Sequence, residues 1–306
     1  MNYKIILYIV LSTFLFSTEL ITPIPLTIKY DKNKVTLGKK LFYDTRLSHD
    51  NTVSCANCHI IEDGGDDNLR VSYGIKGKQG TRNSPTVLNS RYNIKQFWDG
   101  GAKDLQAQAR GPIHNPVEMG SNFKEVINKL KQDKNYLKEF SSIYPDGITG
   151  ANITDAIAKY EETLITPNCR FDQYLRGDDN AITSDEKAGY ELFKDFGCIS
   201  CHNGINIGGN IIQKMGVVKP IHSKDLGRYY ITKKEEDKYY FKVPTLRNID
   251  QTAPYFHDGR VKTLRQALNV MIQYQVGFDL SKKQIDLIIK FLKTLSAKPL
   301  KVEVNK

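Results

Sequence analysis

The sequence predicts a mainly α-helical protein that is built from two related halves, with long ordered loops between its helices. Three observations support this fold class. Capping boxes of the Ser/Thr-x-x-Glu/Gln type precede three segments. No run of alternating strands is found, and one short cysteine motif occurs twice, each time after a similar helical segment. The length of 306 residues suits two medium-sized domains.

Composition and charge exclude several classes of protein. Hydrophobic residues make up 40% and charged residues 25%, which is ordinary globular usage and excludes a disordered, collagen-like or polytopic membrane chain. A net charge of +10 is compatible with nucleic-acid binding, but the lysines are scattered, and we expect no nucleic-acid partner. Five cysteines are too few for a disulfide scaffold of this length.

The N-terminus has the pattern of an export signal. A single lysine precedes the apolar run 5–16, which is too short to span a bilayer but fits a signal-peptide core. Ser17 and Thr18 are small, so cleavage after residue 18 is expected. We therefore predict a periplasmic protein that is processed on export and has no stable membrane insertion. A buried strand or an uncleaved anchor is the alternative for this segment.

The helices are predicted from their starts and their periodicity. Segments 37–44 and 188–195 share Gly, Leu, Phe and Asp at matching places, and each leads into one copy of the motif. Further helices are expected over 123–130 and 152–164, and the capping boxes start three others at Thr183, Thr263 and Ser281. Gly/Asn/Pro-rich stretches 74–85 and 111–120 are expected to be loops. A boundary after Thr166 would give domains 19–166 and 167–306.

The duplicated motif is CxxCH, with its cysteines and histidine at Cys55, Cys58, His59 and at Cys198, Cys201, His202. This is the attachment motif of c-type haem. Two thiols bond to the porphyrin, and the adjacent histidine becomes the proximal iron ligand. The sequence therefore predicts two covalently bound haem c groups. Attachment outside the bacterial cytoplasm agrees with the export signal.

Three other uses of these cysteines were weighed. A thioredoxin-like site needs only one CxxC and a βαβ pattern, which is not found around either copy. A zinc site would need its other ligands at tight spacing. Two disulfides are possible by pattern but leave the two histidines unexplained. Cys169, the fifth cysteine, is expected to be a small packing residue and receives no role.

Beyond the motifs, the chain resembles the bacterial dihaem cytochrome c peroxidases over nearly all of its mature length. The resemblance lies in residues 37–47, 82–87, 96–100, 115–119, 243–248 and 253–259. It implies two cytochrome c-like haem domains that reduce hydrogen peroxide with electrons from a periplasmic donor, a small c-type cytochrome or a cupredoxin. It also implies a possible homodimer. Relatives that oxidise protein side chains, such as the methylamine-utilisation dihaem proteins, share much of the pattern.

The resemblance assigns roles around the first haem, which it makes the peroxidatic one. Glu118, in an Asn-Pro-Val-Glu-Met context, matches the distal acid/base, and Gln108 matches a distal hydrogen-bonding residue. A carboxylate in an apolar haem pocket would have a raised pKa, which suits proton transfer. The alternative for Glu118 is a surface or capping carboxylate.

The second haem is implied to be the entry point for electrons, with Met271 as its sixth ligand. A thioether ligand raises the potential of the iron. A core methionine is the alternative. The side-chain-oxidising relatives have tyrosine at this place, so a methionine here disfavours that function. Trp98 matches a residue between the haems, with plain core packing as the alternative, and His257 matches a supporting histidine near the second haem.

Two further expectations come from the resemblance. Asn83, Thr252 and Pro254 match a calcium site between the domains, which oxygen ligands and water would complete. Ile75 stands where many members carry a histidine that blocks the first iron. We therefore expect an open first haem that needs no reductive activation, unless His49 or His114 fills the position. A side-chain oxidase and a non-catalytic dihaem electron carrier remain the alternative functions.

Overall fold

The computed structural model describes residues 19–302, so the predicted export signal lies outside the described residues. Within that range ten α-helices and one two-stranded sheet are found, and the prediction of a mainly α fold is confirmed. The helices are α1 Lys32–Phe42, α2 Leu105–His114, α3 Phe123–Lys131, α4 Lys134–Ile143, α5 Gly150–Glu161, α6 Arg170–Leu175, α7 Ser184–Asp195, α8 Tyr229–Thr232, α9 Leu264–Met271 and α10 Lys282–Lys293.

The sheet is short and lies in the second half. Strands β1 Ile212–Lys214 and β2 Tyr240–Lys242 run antiparallel, with Ile212 opposite Lys242. Among the described helices none is both long and apolar enough to cross a membrane.

Two hydrophobic cores organise the chain, and each is built around one pair of helices. In the first core α1 packs on α5, and in the second α7 packs on α10. The matching glycines of the duplicated segments explain the close approach. A Cβ on Gly38 would overlap the backbone of Ala156, and a Cβ on Gly189 would overlap that of Leu287. The shared glycine is thus a packing requirement in both halves.

Helix starts follow the capping signals. All three predicted capping boxes form, with Thr183, Thr263 and Ser281 as N-caps. Asp104 and Asp133 cap α2 and α4, which periodicity did not predict. The prediction of a loop over 111–120 was wrong for residues 111–114, because α2 continues to His114.

The two ends of the described chain each lie on the opposite half. Ile21 belongs to the second core, and the amide of Gly204 donates to the carbonyl of Leu20 at 2.8 Å. At the other end, Val302 packs against the first core, and the amide of Leu300 donates to Ile165 at 2.7 Å. The domain boundary after Thr166 stays a prediction.

Candidate functional site

The two CxxCH motifs fold in the same way. Each starts with a 3-10 turn, Cys55–Asn57 in the first half and Cys198–Ser200 in the second. The histidine amide then donates to the carbonyl of the first cysteine, at 3.0 Å in both copies. The same backbone therefore presents two thiols and one imidazole twice, as the duplicated sequence predicts.

Both histidines are held by a backbone carbonyl in a way that suits an iron ligand. Nδ1 of His59 lies 3.2 Å from the carbonyl oxygen of Gly65, and Nδ1 of His202 lies 3.4 Å from that of Ile207. Donation from Nδ1 leaves Nε2 as the free basic nitrogen. Burial lowers the pKa of both rings, that of His202 to about 4, so the neutral, ligating form is favoured.

The other uses of the cysteines find no support in the described range. The four thiols are not joined in disulfides, and residues 19–302 contain no cluster of three His, Cys, Asp or Glu that could hold a metal. The paired thiols and free imidazole nitrogens fit covalent haem. When bound, each haem would supply an iron that exchanges electrons.

Glu118 lies close to the first motif. Burial raises the pKa of the Cys55 thiol, and the charges of Glu161 and Glu118 act in the same direction. Burial also raises the pKa of Cys58 to about 11, again with a contribution from Glu118. The charge of Glu118 thus acts on both thiols of the first motif.

The Glu118 side chain is held within a tight loop after α2. Nδ2 of Asn115 donates to Oε1 of Glu118 at 2.7 Å. Burial raises the pKa of Glu118, and the Asn115 hydrogen bond opposes that rise only in part. The local Asn-Pro-Val-Glu sequence makes this turn, because the amide of Glu118 also donates to the carbonyl of Asn115 at 3.1 Å.

Ile75 packs directly on the Glu118 segment. Its amide donates to the carbonyl of Glu118 at 2.8 Å, and its side chain is 4% exposed. A Cβ on Gly74 would overlap the backbone of Val117 and Glu118, and one on Gly120 would overlap the Ile75 side chain. The position to which the resemblance assigns a blocking histidine is therefore occupied by a buried apolar side chain next to Glu118.

His49 and His114, the two histidines proposed as replacements for Ile75, lie on the surface. His49 is 57% exposed and pairs through Nδ1 with Glu125 at 3.1 Å. His114 is exposed, and its Nδ1 donates to the carbonyl of Arg110 at 2.8 Å.

Gln108 is half-buried on α2, four residues before Pro112. Because proline has no amide hydrogen, the carbonyl of Gln108 lacks its usual helical donor. No hydrogen bond joins the Gln108 side chain to Glu118 in the described structure, so its distal role stays a prediction.

Met271 is the last residue of α9. Leu268 and Ile272 on either side of it belong to the same core as Cys198. A π-helical turn, Ile272–Val276, follows at once. Such turns are rare and are frequently found at functional sites. The methionine lies in the half where an axial ligand for the second iron is expected, although its ligation stays a prediction.

Trp98 and His257 meet between the halves. Their rings lie edge to face, 6.4 Å apart, and His257 also stacks on Phe241 at 4.2 Å. Nε1 of Trp98 donates to the carbonyl of Asn83 at 2.9 Å, while the amide of Asn83 donates to the carbonyl of His257 at 2.8 Å.

This pairing reveals a longer internal repeat than the motifs alone. Phe97 and Phe256, which precede the two rings, both have positive φ, 65° and 68°. Aligning Phe97 with Phe256 matches Trp98 to His257. The shared Phe-x-Asp-Gly pattern was a signal for this symmetry that the sequence analysis did not use.

A buried carboxylate, that of Asp66, lies near the segment that carries Pro254, one of the predicted calcium residues. Nδ2 of Asn83 donates to the carbonyl of Leu69 at 2.9 Å, so Oδ1 is left to accept. Asp66 is 1% exposed, and neither carboxylate oxygen has a hydrogen-bond partner. Burial raises the pKa of Asp66 to about 7, and its charge acts on Tyr255, next to Pro254. An unpartnered buried carboxylate fits a nearby cation.

An ionic network joins the two halves beside these rings. Arg82 donates to Asp225 from Nε at 2.7 Å and from Nη2 at 2.9 Å, and its Nη1 donates to Asp99. Burial of Asp225 opposes its charged form, but the hydrogen bonds from Arg82 outweigh burial and lower its pKa. Sequence patterns gave no signal for this network, because its members are far apart in the chain.

Cys169 has a structural use. It is buried, and its sulfur accepts from the amide of Asp172 at 3.3 Å as the N-cap of α6.

Comparison with known proteins agrees with this arrangement. The family model of the di-haem cytochrome c peroxidases matches residues 32–180, and that of cytochrome c matches residues 186–296. The cytochrome c peroxidase Ccp of Escherichia coli (strain K12) is 48% identical, over 91% of this chain and 61% of that protein. The cytochrome c551 peroxidase of Nitrosomonas europaea is 47% identical, over 92% of this chain and 85% of that protein.

A solved structure has the same fold. The crystal structure of a MauG-like protein associated with microbial copper homeostasis superposes with a TM-score of 0.80 at 26% identity, and covers 93% of this chain and 95% of that one. This chain spans about three fifths of the length of the Escherichia coli relative (61%) and most of the other two. The predicted pair of cytochrome c-like domains is confirmed. By these matches the chain belongs to the di-haem cytochrome c peroxidase family.

Proposed function

We propose that this chain reduces hydrogen peroxide to water at the first haem, with electrons that enter at the second haem. The observation that carries the proposal is Glu118, a largely buried carboxyl with a raised pKa beside the first CxxCH motif. Relatives that are 44–48% identical and are named peroxidases support the same activity.

Glu118 moves the proton. In its charged form the carboxylate accepts a proton from one oxygen of peroxide, and it then returns that proton to the departing oxygen, which leaves as water. Asn115 holds Oε1 in place through its 2.7 Å hydrogen bond. Ile75 contributes an apolar wall that keeps this position free of a protein ligand. Two electrons and two protons per peroxide balance the reaction to two waters.

The electron path uses the second half. A small c-type cytochrome or a cupredoxin in the periplasm is the proposed donor, Met271 the proposed sixth ligand of the iron at His202, and Trp98 with His257 the contact between the halves. A dimer of this chain is compatible with the proposal.

The test is steady-state peroxide reduction with a reduced c-type cytochrome, started from oxidised and from pre-reduced enzyme. We expect fast turnover from both states. Glu118→Gln should lower turnover on the order of 10²–10⁴-fold with both haems still attached, since general acid–base catalysis contributes about that much. Glu62→Gln removes an exposed carboxylate in the same half and serves as the matched control.

The outcomes separate the candidate functions. Unchanged turnover in Glu118→Gln would remove the proton-transfer role. No turnover from either starting state would favour oxidation of a partner protein's side chains or simple electron transfer.

Calcium between the halves is part of the same proposal. The amide oxygen of Asn83, the carbonyls of Thr252 and Pro254, and the unpartnered Asp66 provide the hard oxygen atoms. We expect a chelator to lower the midpoint of thermal unfolding of the holoprotein, and added calcium to restore it. Asp66→Asn should weaken that restoration, while an equal response to calcium in both proteins would argue against the site.

A further inference from the structure

Lys242 is a buried cation with no protein partner. It ends β2, and its side chain is among the buried ones, with 6% exposure. Among residues 19–302, no carboxylate and no hydrogen-bond acceptor contacts its Nζ. Burial alone lowers its pKa to about 8, so the amine is still largely protonated at neutral pH. A buried ammonium without a counter-charge is strongly unfavourable, so a partner from outside the polypeptide is expected.

Arg247, which is also buried in the described part, shows what the protein otherwise does with such a charge. Arg247 is fully buried, and its Nη2 donates to Asp172 at 2.9 Å, with both side chains 0% exposed. Its Nε also donates to the carbonyl of Ile205 at 2.6 Å. Arg247 thus has a counter-charge and a carbonyl acceptor, whereas Lys242 has neither in the described structure.

The position of Lys242 indicates which group would be its partner. The carbonyl of Pro244, two residues later in the chain, contacts the ring of His202. The amide of Lys242 donates to the carbonyl of Trp98 at 2.7 Å, at the junction between the halves. Lys242 is therefore two residues from a contact of the second motif's histidine, and its backbone lies at the junction between the halves.

The internal repeat relates Lys242 to a residue of the first half. Aligning Pro85-Thr86 with Pro244-Thr245 matches Lys242 to Asn83. Both residues form a hydrogen bond with Trp98. The amide of Lys242 donates to the carbonyl of Trp98, and the carbonyl of Asn83 accepts from Nε1 of the Trp98 ring. In the first half this position is the proposed calcium ligand, and in the second half it carries a positive charge of its own.

We infer that the Lys242 ammonium pairs with a propionate carboxylate of the haem attached at Cys198 and Cys201. The propionates of the haem are the carboxylates that the family's cofactor would bring to this half. Neutralising that carboxylate favours the ferrous state, since the reduced iron carries one positive charge less. Lys242 is accordingly a positioning residue that raises the potential of the electron-entry haem. The inference depends on haem attachment and not on peroxide turnover.

The experiment is a spectroscopic redox titration of the holoprotein without peroxide, on the wild type and on Lys242→Met. We expect the variant to keep two haems per chain. The midpoint potential of the haem at His202 should move to a lower value, by an amount that corresponds to about a tenfold change in its ferric-to-ferrous equilibrium. The potential of the haem at His59 should move less. Lys214→Met removes an exposed lysine from the neighbouring strand and is the matched control.

A second readout reports on the propionate itself. The propionate bending mode in the resonance Raman spectrum of the second haem should shift in Lys242→Met and in Lys242→Gln, and should stay in place in Lys214→Met. Unchanged potentials and an unmoved bending mode in both Lys242 variants would overturn the inference. A shift confined to the haem at His59 would overturn the assignment to the second haem.

Discussion

At the scale of single residues, the proton transfer that we propose for the first site depends on two opposing effects on the pKa of Glu118. Burial raises the pKa of its carboxyl, and the hydrogen bond from Asn115 works in the opposite direction because it stabilises the charged form. Asn115→Ala removes the second effect, together with the hydrogen bond that Oδ1 of Asn115 accepts from the amide of Val117 at 3.0 Å. The pKa of Glu118 should therefore rise further, and the acid limb of the kcat/KM profile should move to higher pH.

The measurement is the pH dependence of kcat/KM for peroxide in the wild type, in Asn115→Ala and in Asn135→Ala. Asn135 is an exposed asparagine at the start of α4 and provides the control. An acid limb that stays at the wild-type pH in Asn115→Ala would show that Glu118 is not the group that titrates.

Residues with strong local context could be predicted from the sequence, whereas isolated buried charges could not. Glu118 was found through the Asn-Pro-Val-Glu-Met stretch, and Ile75 through its distance from Asn83. Lys242, Asp66 and Glu161 were missed, because a lysine or a carboxylate gives no sign of burial in one sequence. Glu161 is 4% exposed, and burial raises its pKa to about 8, which only the folded core creates.

At the scale of elements, we propose that the loop 74–78 keeps the first haem open. The amide of Ile75 and the side chain of Lys78 donate hydrogen bonds to carbonyls of residues 116–118, each at 2.8 Å. The loop is thereby fixed against the Glu118 turn, with Lys76 at φ 56° and Gly77 at φ 66°. A ligating side chain at position 75 would be directed by this backbone rather than by a free loop.

Ile75→His should therefore close the first iron in the oxidised protein. We expect the room-temperature spectrum of oxidised enzyme to become more low-spin, and turnover to require pre-reduction. Ile75→Val keeps an apolar side chain and is the control, with activity from both starting states. Immediate full turnover of oxidised Ile75→His, with an unchanged spectrum, would contradict the assignment of this loop.

Among the helices, starts that depend on local capping contacts could be predicted, whereas an end that depends on tertiary packing could not. The capping boxes at Thr183, Thr263 and Ser281 predict helix starts correctly because the cap is a contact within four residues. Helix α2 was missed in part because Pro112 and Gly111 indicate a loop, yet Asp104 caps the helix and Ile113 is 1% exposed in the first core. Tertiary packing outweighs the local preference there.

At the scale of the whole molecule, the two halves are joined by contacts that no local pattern reveals. The duplication was visible in the motifs and in the paired glycines, but its consequence at the junction, the Trp98–His257 contact, was not. Arg82 connects Asp99 of the first half to Asp225 of the second, and the Arg82 side chain is only 23% exposed. Removal of the guanidinium leaves two carboxylates without their partner.

Arg82→Met should lower the free energy of unfolding of the holoprotein by about 1–3 kcal/mol at pH 7, less than for a fully buried pair because the network is partly solvated. The effect should depend on pH in a definite direction. The folded pKa of Asp225 is lowered, so its contribution is present above the unfolded value of about 4 and is lost as the pH falls through the folded pKa.

Urea unfolding at pH 7 and at about pH 3 measures the difference in the free energy of unfolding between variant and wild type, which should shrink at the lower pH. Arg260→Met, which removes a 62% exposed arginine paired with Asp258 within one loop, is the control and should change stability little at either pH. An equal loss of stability in the Arg82 and Arg260 variants would mean that the network does not join the halves energetically.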